Sequence, residues 1–420
     1  MVNIMDKILN IIKKFIPKPI FIFFQPAYHR VLVLCGALLY GFSSRSLKVV
    51  GVTGTSGKTT VVEFLRAIFS SAGFKTASLS SLDFSIGSQK EPNLLKMTMP
   101  GRFQIQKFLR RAKKSGAEYV FLEVTSEGIK QRRHKFIKFY AAIFTNLSKE
   151  HLEAHGGFEN YRKAKGELFK AAPIHILNGD DPNFNFFSKF PASKRIIYKK
   201  SDFPPDLDLK LKGEFYKINA VSALAFARLE GVPYEIAKSA LEDIKILPGR
   251  MEFIDTGKNF KVLIDYAFLP QTLEKVYTYL TENCSPTENS SPNRLVCIFG
   301  AAGGGRDKWK RPELGKIAEK YCREIILTNE DPYDENPLSI LKEIESGFSQ
   351  SYKLQATSYK IILDRREAVR EALKNAEAGD TVVITGKGAE PWIIGPNNTK
   401  IPWDDREVVR EELEKLMQID

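Results

Sequence analysis

The sequence is poor in cysteine: it has four among 420 residues, and no two of them form a CxxC pair. This spacing gives no support for a disulfide framework or a zinc ribbon, and it is typical of a reducing compartment. No run of about 18 apolar residues occurs, so a membrane-spanning helix is not predicted. The N-terminal apolar stretches are broken by lysines and prolines without a clean cleavage site after them, which argues against a signal peptide.

What the sequence does have is an ordinary globular composition with a surplus of positive charge. It is 43% hydrophobic and 27% charged, and its formal net charge is +13. The surplus lies in two places, because residues 1–46 have a net charge of +5 and residues 107–138 a net charge of +7. No recognition motif or alternation of aromatic and basic residues accompanies it, so nucleic acid is not expected as a partner.

Residues 1–46 form a basic and apolar segment of their own. Ile4, Ile8, Ile12 and Ile16 could share one face of a helix that carries its lysines elsewhere. Two interpretations stay open, a helix on a membrane surface or a helix packed on its own protein. The first interpretation predicts peripheral membrane contact through residues 1–46.

Short apolar runs alternate with helical patterns along the rest of the chain. LKVVGV (47–52) is followed by a helical pattern over 61–73, and similar runs begin at residues 119, 140, 175, 261, 294, 324 and 380. This alternation is typical of parallel sheets covered on both faces. The chain also exceeds the roughly 250–300 residues of one hydrophobic core. We therefore predict an α/β protein in which a mostly parallel sheet of the P-loop type (47–247) precedes a smaller Rossmann-like domain (248–420).

The sequence GVTGTSGKTT (51–60) stands between a predicted strand and a predicted helix. Glycines let backbone N–H groups turn toward phosphate oxygens, and the helix N-terminus adds its positive dipole end. Lys58 is expected to reach the β- and γ-phosphates, and Thr59 to offer a hydroxyl to Mg²⁺. The loop is a variant, because the strict pattern would have glycine in place of Val52. We predict a nucleoside triphosphate site formed by Gly54, Thr55, Ser56, Gly57, Lys58, Thr59 and Thr60.

This variant loop resembles that of the Mur ligases and their folylpolyglutamate synthase relatives. Further motifs follow in the same order: TNLSKEHLEAHGGFENYRKAK (145–165), LPGRMEF (247–253), VLIDYA (262–267), GRDKWKRPELG (305–315) and GKGAE (386–390). They are similar to the MurE-type branch, which adds the third amino acid to UDP-N-acetylmuramoyl-L-alanyl-D-glutamate. The resemblance implies a cytoplasmic, monomeric ligase that uses ATP and Mg²⁺ to join an amino acid to a carboxylate of a peptidoglycan precursor through an acyl phosphate.

The resemblance also assigns the catalytic residues, which are Lys58 of the loop and four others. Glu123 and His151 match the metal ligands of the family, and Lys165 matches a lysine that many Mur ligases carbamylate to bind a second metal ion. Arg250 matches a residue that contacts the γ-phosphate from the second domain, so it would act when the domains close. The nucleotide base and ribose would be held by Asn219, Arg250 and Asp265.

Two groups of residues match substrate-binding positions of the family. The basic run at 107–138 surrounds the site expected for the anionic precursor, which would be held by Thr98, Thr125, Gln131 and Arg133. The incoming amino acid would be held in the second domain by Arg306, Asp331, Gly386 and Glu390. Arg306 would pair with its α-carboxylate, and Glu390 could meet a distal ammonium.

The sequence departs from the family pattern where substrates are recognised. Only 46 residues precede the first predicted strand, where MurE-type enzymes have a complete UDP-binding domain. Tyr333, in Glu-Asp-Pro-Tyr, replaces the arginine that would select diaminopimelate, so lysine or another amine is at least as plausible. Two alternatives stay open: a folylpolyglutamate-type or other ligase with an acceptor lacking UDP, or a nucleotide-binding subunit that works with a partner protein.

Overall fold

The structure is a computed structural model that describes residues 18–95, 97–283, 295–353 and 359–418, without the side chains of residues 18–27. The helical face predicted at residues 4–16 lies outside these ranges. Within them, no helix combines the length and the apolar character needed to cross a bilayer. Two large sheets, one after the other along the chain, organise the structure.

The first domain is built on an eight-stranded sheet. Its strands are β1 (Lys48–Thr53), β2 (Thr76–Leu79), β3 (Asp83–Ile86), β4 (Gln89–Pro92), β5 (Tyr119–Glu123), β6 (Phe139–Phe144), β7 (Ile174–Asn178) and β8 (Lys194–Tyr198). Their order is β4-β3-β2-β5-β1-β6-β7-β8, parallel except for the antiparallel β3 and β4 at one edge. The central strands β5, β1, β6 and β7 are buried on both faces, which is why they are rich in apolar residues, whereas the edge strand β8 is largely exposed.

Helices cover both faces of this sheet. They are α1 (Lys18–Leu39), α2 (Lys58–Ser71), α3 (Arg102–Lys114), α4 (Ser126–Lys130), α5 (Leu152–His155), α6 (Phe158–Ala171), α7 (Phe184–Phe187), α8 (Glu214–Leu229) and α9 (Tyr234–Glu242). The helix predicted over 61–73 begins earlier, at Lys58, because the phosphate-loop residues already form its first turn. It ends before Gly73, whose φ of +86° lies in the left-handed region.

The second domain is built on a six-stranded sheet. Its strands are β9 (Glu252–Ile254), β10 (Lys261–Asp265), β11 (Leu295–Phe299), β12 (Cys322–Leu327), β13 (Tyr359–Ile361) and β14 (Thr381–Thr385), and a separate hairpin has β15 (Trp392–Ile394) and β16 (Lys400–Pro402). The order β13-β12-β11-β14-β10-β9 is parallel except for β9. The helices are α10 (Pro270–Asn283), α11 (Lys310–Tyr321), α12 (Pro337–Glu345), α13 (Gln350–Lys353), α14 (Arg365–Asn375) and α15 (Asp405–Met417).

One hydrophobic core continues from the first domain into the second. It includes Phe121 of β5 and Leu263 of β10, and between them Leu247 and Met251 of the connecting segment. The predicted division at 247/248 falls in this connection. Two consecutive α/β sheets, the first with a phosphate loop after its central strand β1, confirm the predicted fold class.

The second sheet contains a disulfide between Cys297 and Cys322, whose Cα atoms are 6.0 Å apart. The expectation of no disulfide was wrong for this pair. The two residues are 25 positions apart in sequence, and only the pairing of β11 with β12 brings them together. Among the described residues, Cys35 is free and exposed.

Candidate active site

The loop at residues 54–57 has a shape that its neighbours fix. Gly57 has a φ of +81°, and a Cβ atom there would lie 2.5 Å from Oδ1 of Asn219. Asn146 Oδ1 accepts hydrogen bonds from the backbone N–H of Ser56 at 3.0 Å and from its hydroxyl at 3.1 Å. A Cβ atom at Gly54 would collide with the hydroxyl of Thr145. The loop is therefore preorganised, and its two glycines are required by close contacts.

Two lysines meet at this loop. Lys58 Nζ donates to the carbonyl oxygens of Gly54 at 3.0 Å and Thr55 at 2.8 Å, and Lys165 Nζ donates to the same Gly54 oxygen at 2.7 Å. Burial lowers the pKa of Lys58. Burial, together with the charge of Lys58, holds the pKa of Lys165 well below its usual range. The structure thus brings together two predicted catalytic residues from distant parts of the chain.

Glu123 lies at the end of β5, beside the loop, because β5 pairs with β1 in a register that sets Glu123 against Val52. Its carboxylate accepts a hydrogen bond from the N–H of Ser81 at 2.7 Å, and the Ser81 hydroxyl lies 2.9 Å from that of Thr59. Burial raises the pKa of Glu123, against the opposing effects of Lys58, the Ser81 N–H, the Thr59 hydroxyl and Arg250. The next loop residue, Thr60, is buried in α2.

The residues around Glu123 fit a magnesium ion. Oxygen atoms of Glu123, Thr59 and Ser81 lie together, and Mg²⁺ prefers oxygen ligands while keeping several waters. In the described part of the chain, no group of three or more His, Cys, Asp or Glu side chains could hold a metal ion by itself. The predicted ligand His151 instead has its Nε2 at 3.4 Å from Glu150 Oε1, so its metal role stays a prediction.

Arg250 lies at the junction of the two domains. Its guanidinium stacks 4.2 Å from the ring centre of Tyr266. Its positive charge contributes to lowering the pKa of Lys58 and opposes the rise in the pKa of Glu123, both of which lie across the junction. Both carboxylate oxygens of Asp265 accept backbone N–H groups at 2.7 Å, from Met251 and from residue 267. Asp265 therefore holds the turn that carries Arg250, and its predicted contact with the nucleotide stays a prediction.

The residues predicted to hold the precursor lie in two adjoining segments of the first domain. Arg133 donates to the side chain of Gln131 at 2.7 Å and to the carbonyl of Met99, next to the half-buried Thr98. Burial, with the charge of a neighbouring arginine, lowers the pKa of Arg133 to about 10. The Thr125 hydroxyl accepts the N–H of residue 128 at 3.1 Å and caps helix α4.

Two of the residues predicted to hold the amino acid, Asp331 and Glu390, are joined by a lysine that the sequence analysis did not single out. Lys387 is fully buried and donates to Asp331 Oδ1 at 3.0 Å and to Glu390 Oε2 at 2.6 Å. Glu390 also accepts the hydroxyl of Tyr266 at 2.7 Å. Gly386 precedes this lysine with a φ of +103°. Both carboxylates are therefore already paired, so neither is a free partner for a distal ammonium.

A cavity of about 240 Å³ lies where the two domains face each other. Glu127 and His151 line it from the first domain, and Arg306, Asp307 and Tyr333 from the second. The guanidinium of Arg306 interacts with the Tyr333 phenol, at the position where the family has arginine. The cavity thus brings together two predicted site residues, His151 of the first domain and Arg306 of the second, and Arg306 offers a cation that can bind a substrate carboxylate.

Contacts of Asp307 hold this junction together. Its carboxylate accepts the backbone N–H groups of Leu152 at 3.1 Å and Glu153 at 3.0 Å, at the start of helix α5. Glu153 in turn accepts the N–H of Lys308 at 3.0 Å. The sequence did not predict this role of Asp307, although the residue belongs to GRDKWKRPELG (305–315), one of the motifs shared with the Mur ligases.

Comparisons with known proteins agree with this geometry. Residues 52–203 match the family described as Mur ligase middle domain, and residues 249–388 the family described as Mur ligase, glutamate ligase domain. The UDP-N-acetylmuramoyl-L-alanyl-D-glutamate–2,6-diaminopimelate ligase of Syntrophomonas wolfei is 36% identical, over 92% of this chain and 82% of the relative.

Solved structures give the same result at the level of the fold. A structure of a UDP-N-acetylmuramoyl-L-alanyl-D-glutamate–2,6-diaminopimelate ligase superposes with a TM-score of 0.55 at 27% identity, over 88% of this chain and 79% of that chain. A folylpolyglutamate synthase of Mycobacterium tuberculosis, complexed with ADP and AMPPCP, has a TM-score of 0.67 at 16% identity, over 84% and 91% of the two chains. At that identity the second likeness is one of fold alone.

Proposed function

The chain belongs to the Mur ligase family, and on this basis we propose that it is an ATP-dependent ligase of the MurE type. It joins an amino acid to a carboxylate of a peptidoglycan precursor through an acyl phosphate. The observation that carries the proposal is the meeting of Lys58, Lys165 and Glu123 at a preorganised phosphate loop, with Arg250 facing them from the second domain.

The chain's own residues supply what this reaction requires. Ligation brings a carboxylate, a triphosphate and an amine together, so the site must neutralise negative charge and fix the reacting groups in line. The loop N–H groups and Lys58 hold the triphosphate, and Arg250 adds a cation from the second domain, which contacts the first through Asp307. Asn219 lies against the loop and Asp265 fixes the turn that carries Arg250, which supports the proposal that Asn219 and Asp265 help to hold the nucleotide.

Magnesium is part of the proposal. Thr59, Ser81 and Glu123 would hold Mg²⁺, which offsets the charge of the phosphates and orients them. Carbamylation of Lys165 is also proposed, because the amine is buried and its lowered pKa favours loss of the proton that reaction with carbon dioxide requires. Lys165 would then offer an anionic ligand on the side where His151 lies.

The two substrates are proposed to approach the loop from opposite domains. The precursor lies along Thr98, Thr125, Gln131 and Arg133, and the amino acid occupies the cavity beside Arg306. Lys387 fixes Asp331 and Glu390 in the same domain as Arg306. The partners are thus small molecules, and we propose that the protein works as a monomer in the cytoplasm, where ATP is supplied.

The test is phosphate release by the full chain with Mg-ATP and a panel of acceptors and amino acids. Acceptors are UDP-muramoyl dipeptide, the same dipeptide without UDP, and a folate, each with lysine or diaminopimelate. We expect release that requires a muramoyl dipeptide and an amino acid. Lys58→Ala should lower it at least about 100-fold, whereas Lys316→Ala, on an exposed part of α11, should leave it unchanged.

Each contrary result has a definite meaning. Full activity of the Lys58→Ala protein would refute the nucleotide assignment. Release that requires the folate would favour the folylpolyglutamate-type alternative. Absence of turnover with every acceptor, followed by activity on addition of a partner protein, would favour the subunit alternative.

A further inference from the structure

Helix α1 has apolar side chains on two opposite faces. Val33 and Ala37 are fully buried where the helix packs on α3. Five side chains on the other face are exposed and follow the spacing i, i+3, i+4, i+7 and i+8. They form the outer stripe, which consists of Val31, Leu34, Cys35, Leu38 and Leu39.

The outer stripe is unusual in extent for a surface helix. Val31, Leu38 and Leu39 are 59%, 60% and 69% exposed. A surface helix of a globular protein normally has one apolar face, which packs on the core, and polar residues opposite. A second, contiguous apolar face marks a surface that contacts something else.

An exposed aromatic residue lies beside the C-terminal end of α1. Phe136 is 41% exposed and has a φ of +60°, a conformation that bulky residues rarely adopt. Its ring meets that of Phe42, three residues after the helix, edge to face with centroids 6.4 Å apart. Phe136 therefore adds exposed apolar surface near the C-terminal end of α1, next to Phe42.

Basic side chains flank this surface at both ends of the described stripe, since Arg30 directly precedes Val31 and Arg45 follows the helix, and both are exposed. Helix α3, which packs on the inner face of α1, has the sequence RFQIQKFLRRAKK and adds six basic residues to this part of the protein, of which Arg111 is paired with Glu91. Residues 28–46 contain Arg30 and Arg45 and no acidic residue. The Arg45 guanidinium lies 4.4 Å from the ring centre of Phe42, and Lys107 is exposed on α3. An apolar stripe with a cationic border is complementary to an anionic lipid surface.

We propose that the outer stripe and Phe136 dock this protein on an anionic lipid bilayer. The apolar side chains enter the boundary between headgroups and acyl chains, and the basic residues meet the lipid phosphates. The contact is peripheral, since the inner face of α1 is fixed on α3. This inference is independent of the proposed ligase reaction.

The test is co-sedimentation of the full chain with vesicles. We expect binding to phosphatidylcholine mixed with phosphatidylglycerol, weaker binding as salt is raised, and little binding to phosphatidylcholine alone. The double variant Leu38→Ser/Leu39→Ser should bind about tenfold more weakly. Leu338→Ser is the matched control, because Leu338 is 44% exposed on the second domain, and it should bind like the wild type.

Cys35 gives a second readout that does not depend on the double variant. In a Cys284→Ser background, an environment-sensitive fluorophore on Cys35 should shift to the blue when anionic vesicles are added. An unchanged spectrum, or equal vesicle binding by the double variant and the wild type, would overturn the proposal. A third result would also overturn it: the wild type forms a dimer in sedimentation velocity, the double variant does not, and neither binds vesicles. A second copy of the chain would then cover the stripe.

Discussion

At the scale of single residues, the phosphate loop at residues 54–57 leaves little space for larger side chains. Gly57 and Gly73 flank the same helix with nearly equal φ values, +81° and +86°. A Cβ atom at Gly57 would lie 2.5 Å from Asn219 Oδ1, whereas none of the described atoms lies within 4 Å of one at Gly73. A substitution at Gly73 therefore tests only the strain of a positive φ, whereas one at Gly57 also tests the contact with Asn219.

We predict that Gly57→Ala damages nucleotide binding and that Gly73→Ala does not. Both substitutions should cost about 1–2 kcal/mol of unfolding free energy, because alanine is strained at positive φ. Only Gly57→Ala should also displace Asn219 and weaken ATP binding, at least about tenfold. Urea unfolding and titration calorimetry measure the two effects, and equal ATP affinities of the two variants would contradict the steric argument.

A second prediction concerns acid stability. His134 is buried, neither of its ring nitrogens has a hydrogen-bond partner among the described residues, and burial with Lys135 nearby lowers its pKa from 6.5 to about 4. Between these pH values the unfolded chain binds more protons than the folded one, so His134 makes the protein less stable as pH falls. The loss over this window is about 3 kcal/mol.

His134→Leu should remove this contribution. The variant should lose about 3 kcal/mol less stability than the wild type when pH is lowered from near 6.5 to near 4. Urea unfolding of both proteins across that range measures the difference between their unfolding free energies. The titration of the other groups is common to both proteins and cancels in this difference. Parallel stability profiles of the two proteins would show that His134 titrates normally.

Residue by residue, the predicted catalytic side chains and the residues that support them had different signals in the sequence. The glycine-rich loop pointed to Lys58, whereas Glu123 and Lys165 were predicted from the family resemblance; the three lie together, and their catalytic roles stay predictions. Ser81 has no such signal, since only the folding of the β2–β3 connection brings it to Glu123. Lys387 was missed for the same reason, and it occupies Asp331 and Glu390, which were expected to meet substrate.

At the scale of elements, a buried ion pair joins two helices of the second domain to its sheet. Arg365 on α14 donates to both oxygens of Asp405 on α15, at 2.8 and 2.9 Å, and to the carbonyl of Thr385 in β14 at 2.9 Å. Both side chains of the pair are fully buried. Removal of one partner would leave a buried charge without compensation.

Arg365→Met should therefore lower the unfolding free energy by about 3–5 kcal/mol. Lys316→Met, which breaks an exposed pair with Glu313 at 2.8 Å in the same domain, should lower it by less than about 1 kcal/mol. Trp403 donates to Asp405 at 2.8 Å, so tryptophan fluorescence during urea unfolding reports on the pair. Similar losses in both variants would mean that Asp405 finds another partner.

The strands that are buried on both faces could be predicted from the sequence, and the strands at the edges of the sheets could not. The runs at β1, β5, β6, β7, β10, β11, β12 and β14 are mostly apolar, with polar or charged residues chiefly toward their ends, which identifies them without knowledge of the fold. By contrast, β4 (Gln89–Pro92) is exposed along its whole length and owes its strand conformation to pairing with β3. Such edge strands, like the disulfide between β11 and β12, depend on neighbours that the local sequence does not specify.

At the scale of the whole molecule, Asp307 is the main polar contact described between the domains at the cavity. It accepts two N–H groups of the helix that follows His151, so it links the predicted metal ligand to the wall formed by Arg306. Rotation of the second domain away from the first would break both hydrogen bonds. The closed state therefore depends on this carboxylate.

We predict that Asp307→Ala opens the molecule and slows the reaction. Phosphate release should fall about tenfold, and the radius of gyration from X-ray scattering should increase, while ATP binding to the first domain is retained. Asp334→Ala is the control, because Asp334 accepts one N–H at 2.7 Å within the second domain and is exposed. An unchanged radius of gyration would mean that the shared hydrophobic core and the remaining hydrogen bonds, among them Lys308 N–H to Glu153, are enough to hold the domains together.

The loop where the Lys58 and Lys165 amines share the carbonyl oxygen of Gly54 has a practical consequence for anyone who handles this protein. Its backbone N–H groups, the N-terminus of helix α2 and the Lys58 side chain attract small oxyanions of many kinds, among them the sulfate and phosphate of common buffers. Such ions should raise the melting temperature and compete with ATP. Purification would then benefit from them, whereas kinetic assays should be run in buffers without them.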